Sequence, residues 1–346
     1  MHTKDSYLCW LASETPTAWW HDSADPDELD RGLAHGASGV TTNPVLTYQT
    51  LRAQPEVWRR RVGHLSPGIA PKERAIALMR AVVQDAAARL EPQHALSSGD
   101  LGYVCAQVDP TRAGDREAML AMARRYHAWA PNIAVKLPVT AAGLDVLEAC
   151  VAEGITVTAT VSFTVPQVVA AAERHRRGAA RARQAGLKPG HCFAVIMIGR
   201  LDDYLRDVAW DNRASVNESD IQQAGLAVSK RAYEIYRAEG YEAVLIVAAL
   251  RGTYHMTELA GAGLIMSIHP RYQALLLEPG VPREPRIDLP VQASVIERLR
   301  KMPEFVRAYE PDGMQPDEFI AFGATQRTLA QFNEAGWAML ESFDLF

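Results

Sequence analysis

The chain has 346 residues, of which 48% are apolar and 22% charged, with a net charge of −5 at pH 7. That balance describes a globular chain long enough for a large core. Net negative charge supplies no overall attraction for nucleic acid or anionic membranes, which leaves small molecules and further copies of the chain as partners.

Cys9, Cys105, Cys150 and Cys192 are widely separated and show no metal-ligand spacing, so neither a disulfide framework nor a metal site is expected. Residues 1–16, MHTKDSYLCWLASETP, lack the apolar core of a signal peptide. No stretch approaches the roughly 18 uninterrupted apolar residues of a membrane span. A cytoplasmic protein is the expectation.

From the N-terminus, eight short apolar runs read as strands: AWWHDSA (18–24), SGVTTNP (38–44), GYVCAQV (102–108), IAVKLPV (133–139), ITVTATVSF (155–163), CFAVIMIG (192–199), AVLIVAAL (243–250) and LIMSI (264–268). Between them, residues 116–130, 144–154, 165–186, 219–240 and 256–263 show helical spacing, and several of these end in Gly. Continuously apolar strands alternating with helices predict a parallel sheet covered by helices. Eight of them favour a closed (β/α)8 TIM barrel, a fold of typically about 250 residues. The Pro- and Arg-rich segment EPGVPREPRIDLP (278–290) breaks the alternation, and helical patterns follow at 291–309 and 316–343. The expected organisation is one domain over residues 1–346, with the barrel over 18–275 and a helical C-terminal cap over 276–346.

Several features have bland readings. The basic run RHRRGAARAR (174–183) continues a helix and reads as a solvated face, Trp19 and Trp20 read as barrel packing, and His269 in SIHPR reads as packing or solvent-exposed. No Gly-rich nucleotide loop is present, so no organic cofactor is implied.

Lys136 is different. It lies among Ile133, Ala134, Val135, Leu137 and Val139, a β-favouring run in which an ammonium is the least welcome group. Such a lysine is either a paired structural charge or a chemical one. In a parallel barrel the active site forms where the C-terminal ends of the strands converge. Polar residues late in the first five runs are Asp22, Asn43, Gln107, Lys136 and Thr160.

Five motifs in order resemble the transaldolase family and its fructose-6-phosphate aldolase relatives: HDSADPDEL (21–29), GVTTNPVL (39–46), AVKLPVTAAGLDVL (134–147), GITVTATVSF (154–163) and IGRLDDYL (198–205). The resemblance implies a cofactor-free class I aldolase in which Lys136 forms a Schiff base with a ketose, Asp22 accepts the hydroxyl proton, and Asn43 orients a substrate hydroxyl. Desolvation and neighbouring cations leave such a lysine neutral and able to attack a ketone. Arg200, and Arg251 in VAALRG, match the arginines that grip a sugar phosphate in that family, a task suited to guanidinium forks.

Local readings stand beside these roles: Asp22 as part of a turn and helix cap, Asn43 as a turn former before Pro44, and Thr160 as a β-branched strand residue. The sequence also departs from the family. Gln107 stands where transaldolases carry a glutamate that, with the threonine matched by Thr160, holds a catalytic water, whereas the fructose-6-phosphate aldolases carry glutamine. Glutamine can bind that water without taking its proton. Thr158 replaces an asparagine, Val195 a serine, Met197 an aromatic residue and Ala249 a serine, making the donor end of the pocket more apolar. The expected activity is transfer of a dihydroxyacetone unit from a ketose or its phosphate to an aldose. The alternatives are release of free dihydroxyacetone and a barrel that binds sugar phosphate without catalysis.

Overall fold

All eight apolar runs form strands in the computed structural model, which describes residues 6–63 and 68–343. The expected domain's ends, residues 1–5 and 344–346, lie outside the described residues. The strands are β1 Ala18–His21, β2 Gly39–Val40, β3 Tyr103–Gln107, β4 Ile133–Pro138, β5 Val157–Thr160, β6 Cys192–Met197, β7 Val244–Ala248 and β8 Ile265–Ile268. Each pairs in parallel with its neighbour in sequence, and β8 returns to β1 through Ala18 beside Ile265 and His21 beside Ile268. Every residue of β3, β4, β5 and β6 is buried, because helices cover the outside while side chains fill the inside. Trp19 and Trp20 are buried, and the Trp20 ring meets Phe193 of β6 edge-on at 4.7 Å.

The helices start where local chemistry allows it. Asp25, Asn43, Thr140 and Thr164 each accept backbone N–H groups at the start of the helices Pro26–Ala34, Pro44–Ala53, Ala141–Ala152 and Val165–Gln184. The basic run lies on the last of these and is laced to carboxylates, with Arg174 on Asp145 and Glu148, Arg181 on Glu148, and Arg183 on Glu242.

Three helical segments differ from expectation. The pattern at 256–263 is helical only over Thr253–Thr257, and turns through Gly261 carry the chain into β8. The pattern at 291–309 divides into Ala293–Leu299 and Pro303–Tyr309, since Pro303 has no N–H to continue a helix and instead begins one. The pattern at 316–343 becomes a 3-10 turn Phe319–Ala321, a helix Gly323–Phe332, a π-helical turn Asn333–Trp337 and a last helix Ala338–Glu341. Helix Gly323–Phe332 packs on Ile198–Asp211, the helix after β6, and the π turn packs on Pro44–Ala53, the helix after β2. At that turn a Cβ on Gly336 would stand 2.7 Å from the Val45 nitrogen, so only glycine permits the approach. The C-terminal helices thereby reach elements that start at the mouth of the barrel.

Candidate active site

Strand register brings the central polar residues together. Gln107 lies beside Lys136, Lys136 beside Thr158, and Pro138 beside Thr160, on the adjacent strands β3, β4 and β5. Cys105 Sγ lies 3.4 Å from Thr158 Oγ1, which places the odd-numbered β3 positions and the even-numbered β5 positions on the same inner face.

Lys136 is 5% exposed. Its Nζ donates to the Thr42 carbonyl at 3.0 Å, and Thr42 Oγ1 in turn donates to the Cys105 carbonyl at 2.7 Å. Burial lowers the lysine's pKa from the ordinary value and nearby Arg200 adds to the lowering, while Cys105 and Asp22 oppose it. Burial pushes the Cys105 thiol up, so at neutral pH that neighbour is uncharged.

Asp22, one residue past β1, accepts from Thr41 Oγ1 at 2.7 Å, and Thr41 Oγ1 is 2.6 Å from Ser267 Oγ of β8. The Thr41 proton is directed at the carboxylate, so Ser267 is the donor to Thr41. The helix-cap role expected as an alternative for Asp22 belongs to Asp25. Asn43, read locally as a turn former, is instead the cap of the helix Pro44–Ala53: its Oδ1 accepts from the Val45 and Leu46 nitrogens at 2.9 and 3.0 Å, leaving the amide nitrogen as its remaining side-chain polar group. Gln107 Oε1 and Thr160 Oγ1 are both buried with no hydrogen-bond partner among the described residues. Buried polar atoms of that kind are ordinarily satisfied by water or a ligand.

Arg200 and Arg251 meet at a pocket of about 270 Å³ between Ile198–Asp211, the loop after β7 and the cap helix Gly323–Phe332. Burial and Arg251 together lower Arg200 to about 10, against Asp203 and Asp22, so it remains a cation at neutral pH. One Arg200 nitrogen donates to Gln331, its Nε is buried with no partner among the described residues, and its guanidinium lies 5.2 Å from the Phe332 ring centre. Arg251 donates through Nε and Nη2 to Asp203 Oδ2, at 2.9 and 2.7 Å. A Cβ on Gly199 would stand 2.3 Å from the Ala249 carbonyl oxygen, so glycine lets this loop lie against the helix start. Met197 and Val195 are buried on β6, and Met197 is its last residue.

Residue-by-residue reading of the sequence missed the supports. Thr41 and Thr42 sit inside TTNP, whose spacing alone does not say that one hydroxyl and one carbonyl hold the two key groups. Also missed is a buried pair behind Arg251. His255 Nδ1 accepts the Arg251 N–H at 3.2 Å, which leaves the ring proton on Nε2 for Asp202 Oδ2 at 3.0 Å, and Gly225 N–H donates to Asp202 Oδ1 at 2.8 Å. His269 caps the helix Pro270–Leu277, its Nδ1 accepting from the Arg271 nitrogen. Among the described residues no group of three or more His, Cys, Asp or Glu is placed to hold a metal ion, and no helix is long and apolar enough to cross a membrane.

Comparison with known proteins identifies the family. The family model described as transaldolase/fructose-6-phosphate aldolase matches residues 19–334. The transaldolase of Neisseria gonorrhoeae is 31% identical over 212 residues, 60% of this chain and 58% of that relative's length. The chain thus spans under two thirds of that relative. The transaldolase of Thiobacillus denitrificans is 28% identical over 341 residues, 93% of each chain, and that of Mycobacterium bovis 30% identical over 232 residues, 63% of this chain and 61% of the relative. With the family match running from β1 through the cap helix Gly323–Phe332, the chain belongs to the transaldolase/fructose-6-phosphate aldolase family.

Proposed function

We propose that the protein is a class I aldolase of the transaldolase type, acting on a ketose phosphate through a Schiff base on Lys136. The observation that carries this reading is a buried lysine with a lowered pKa, tethered by a backbone carbonyl rather than by a carboxylate. Its neutral amine attacks the ketose C2 carbonyl, and loss of water gives an iminium. Asp22 takes the C4 hydroxyl proton, the C3–C4 bond breaks, and its electrons pass into the iminium to leave an enamine on Lys136. An aldehyde departs. The enamine then attacks an aldose acceptor, and hydrolysis frees the enlarged ketose.

In this reading Asn43 directs its amide nitrogen at a substrate hydroxyl. Gln107 and Thr160 bind the water of imine formation and hydrolysis by hydrogen bonds. Thr158 and Met197 line the dihydroxyacetone end, and Arg200 and Arg251 face the phosphoryl group. A second outcome, release of free dihydroxyacetone, is motivated by Gln107, since glutamine is the residue that the fructose-6-phosphate aldolase relatives carry at this position. Incubation of one ketose phosphate with and without an aldose acceptor tests the proposal: transfer product in the first case supports the transferase, and free dihydroxyacetone in both supports the aldolase. Binding of the ketose phosphate with neither product would leave only a sugar-phosphate-binding barrel.

A further inference from the structure

Val161 follows Thr160 at the mouth end of β5, and its φ is +52°. This left-handed region is uncommon for any residue with a Cβ and least tolerated by a β-branched one. Such a conformation persists where the surroundings over-determine it, and it clusters at functional sites.

Here the surroundings are Gln167. Its fully buried carboxamide makes four contacts: Oε1 accepts from the Phe163 nitrogen at 2.9 Å and from Thr164 Oγ1 at 3.1 Å, while Nε2 donates to the Val161 carbonyl at 3.3 Å and the Val139 carbonyl at 3.4 Å. Gln167 is the third residue of the helix capped by Thr164, where a glutamine ordinarily reaches back to the cap nitrogen. This one reaches further, joining the loop after β5 to the residue three beyond Lys136. Val139 N–H also donates to the Thr160 carbonyl at 2.7 Å, and Ser162 ties the same loop to the Val195 carbonyl at 2.5 Å. Thr160 Oγ1 has no hydrogen-bond partner among the described residues, so no polar contact of its own fixes its direction and the backbone at 160–161 helps to aim it.

We infer that Gln167 is a positioning residue, which holds Val161 in its left-handed conformation and thereby aims Thr160 Oγ1 and fixes the end of the strand that carries Lys136. The inference rests on the Schiff-base reading above.

Four proteins test it: wild type, Gln167→Met, Val161→Gly, and the double variant. Glycine adopts a positive φ without being held, so if holding Val161 is what Gln167 contributes, Val161→Gly restores activity in the Gln167→Met background. The readouts are kcat and KM with a ketose phosphate, and the rate at which borohydride traps dihydroxyacetone on Lys136. Gln167→Met is expected to lower kcat by about 10²-fold with KM nearly unchanged, as for a misplaced catalytic group, and the double variant to recover at least about tenfold of it. A cap with only a structural role would lower the thermal midpoint without that kcat-specific loss or that recovery. If Gln167→Met does not fold, Gln167→Glu, which keeps the capping acceptor and removes the donors to Val139 and Val161, takes its place in the same comparison. Wild-type kcat in the Gln167 variant, or a loss that Val161→Gly does not relieve, overturns the inference. Failure to trap wild type overturns the Schiff-base reading instead.

Discussion

Lys136 and Asp22 are held by neighbouring residues of one loop, the amine on the Thr42 carbonyl and the carboxylate on the Thr41 hydroxyl. A direct ion pair would hold the lysine protonated, whereas separate tethers leave burial free to lower its pKa. Asp22→Asn removes the proposed base and keeps the nucleophile, so cleavage is expected to slow by about 10²–10⁴-fold while trapping on Lys136 persists; loss of both in a folded variant would show that Asp22 also builds the imine. Because the lysine's folded value is lowered, the acid limb of the rate profile is expected to fall below the ordinary lysine value of about 10.4 and to reflect loss of neutral amine as pH drops. The same shift has a sign in stability. Between the lowered folded value and the unfolded one the unfolded chain holds the extra proton, so stability rises with pH in that window, and Lys136→Met is expected to remove the slope. Lys136 was legible in the sequence because a charge in an apolar β run is anomalous. Its carbonyl tether, the orphaned Thr160 hydroxyl and the strained Val161 were not, because each is a property of backbone geometry set by tertiary packing.

Among the elements, the strands were legible because all eight are short apolar runs, and their order followed from alternation with helices. The C-terminal region was legible as helical, yet its division was not, since the π turn exists where Gly336 presses on the Pro44–Ala53 helix and no local pattern announces that contact. That helix also carries a test of a double role. Asn43 caps it and, in the proposed reaction, orients the substrate. Asn43→Ala is expected to cost about 0.5–2 kcal/mol of stability through the lost cap, whereas Asn43→Ser keeps a capping oxygen. Both remove the amide nitrogen, so both are expected to lower kcat/KM; full activity in Asn43→Ser would confine Asn43 to capping. Thermal unfolding and steady-state kinetics on the two variants separate the roles.

In the whole molecule, the barrel supplies Lys136 and its ring of polar neighbours, while the C-terminal helices supply Gln331 and Phe332 against Arg200 and Arg327 beside Tyr204, at 5.4 Å from the ring centre. The phosphoryl end of the proposed site is therefore built jointly by the barrel, through Arg200 and Arg251, and by the C-terminal helix Gly323–Phe332. Gly336→Val, which forces the cap off the Pro44–Ala53 helix, is expected to raise KM for a ketose phosphate several-fold and to lower the thermal midpoint, with trapping of unphosphorylated dihydroxyacetone retained; an unchanged KM would remove the cap from the pocket. The proposed reaction depends on one covalent bond, between Lys136 and the ketose. Borohydride reduction in the presence of ketose, followed by peptide mass spectrometry, is expected to find a reduced adduct on Lys136 and none in Lys136→Met or in the absence of ketose. An adduct on another lysine, or turnover by Lys136→Met, would contradict a Schiff-base mechanism at Lys136.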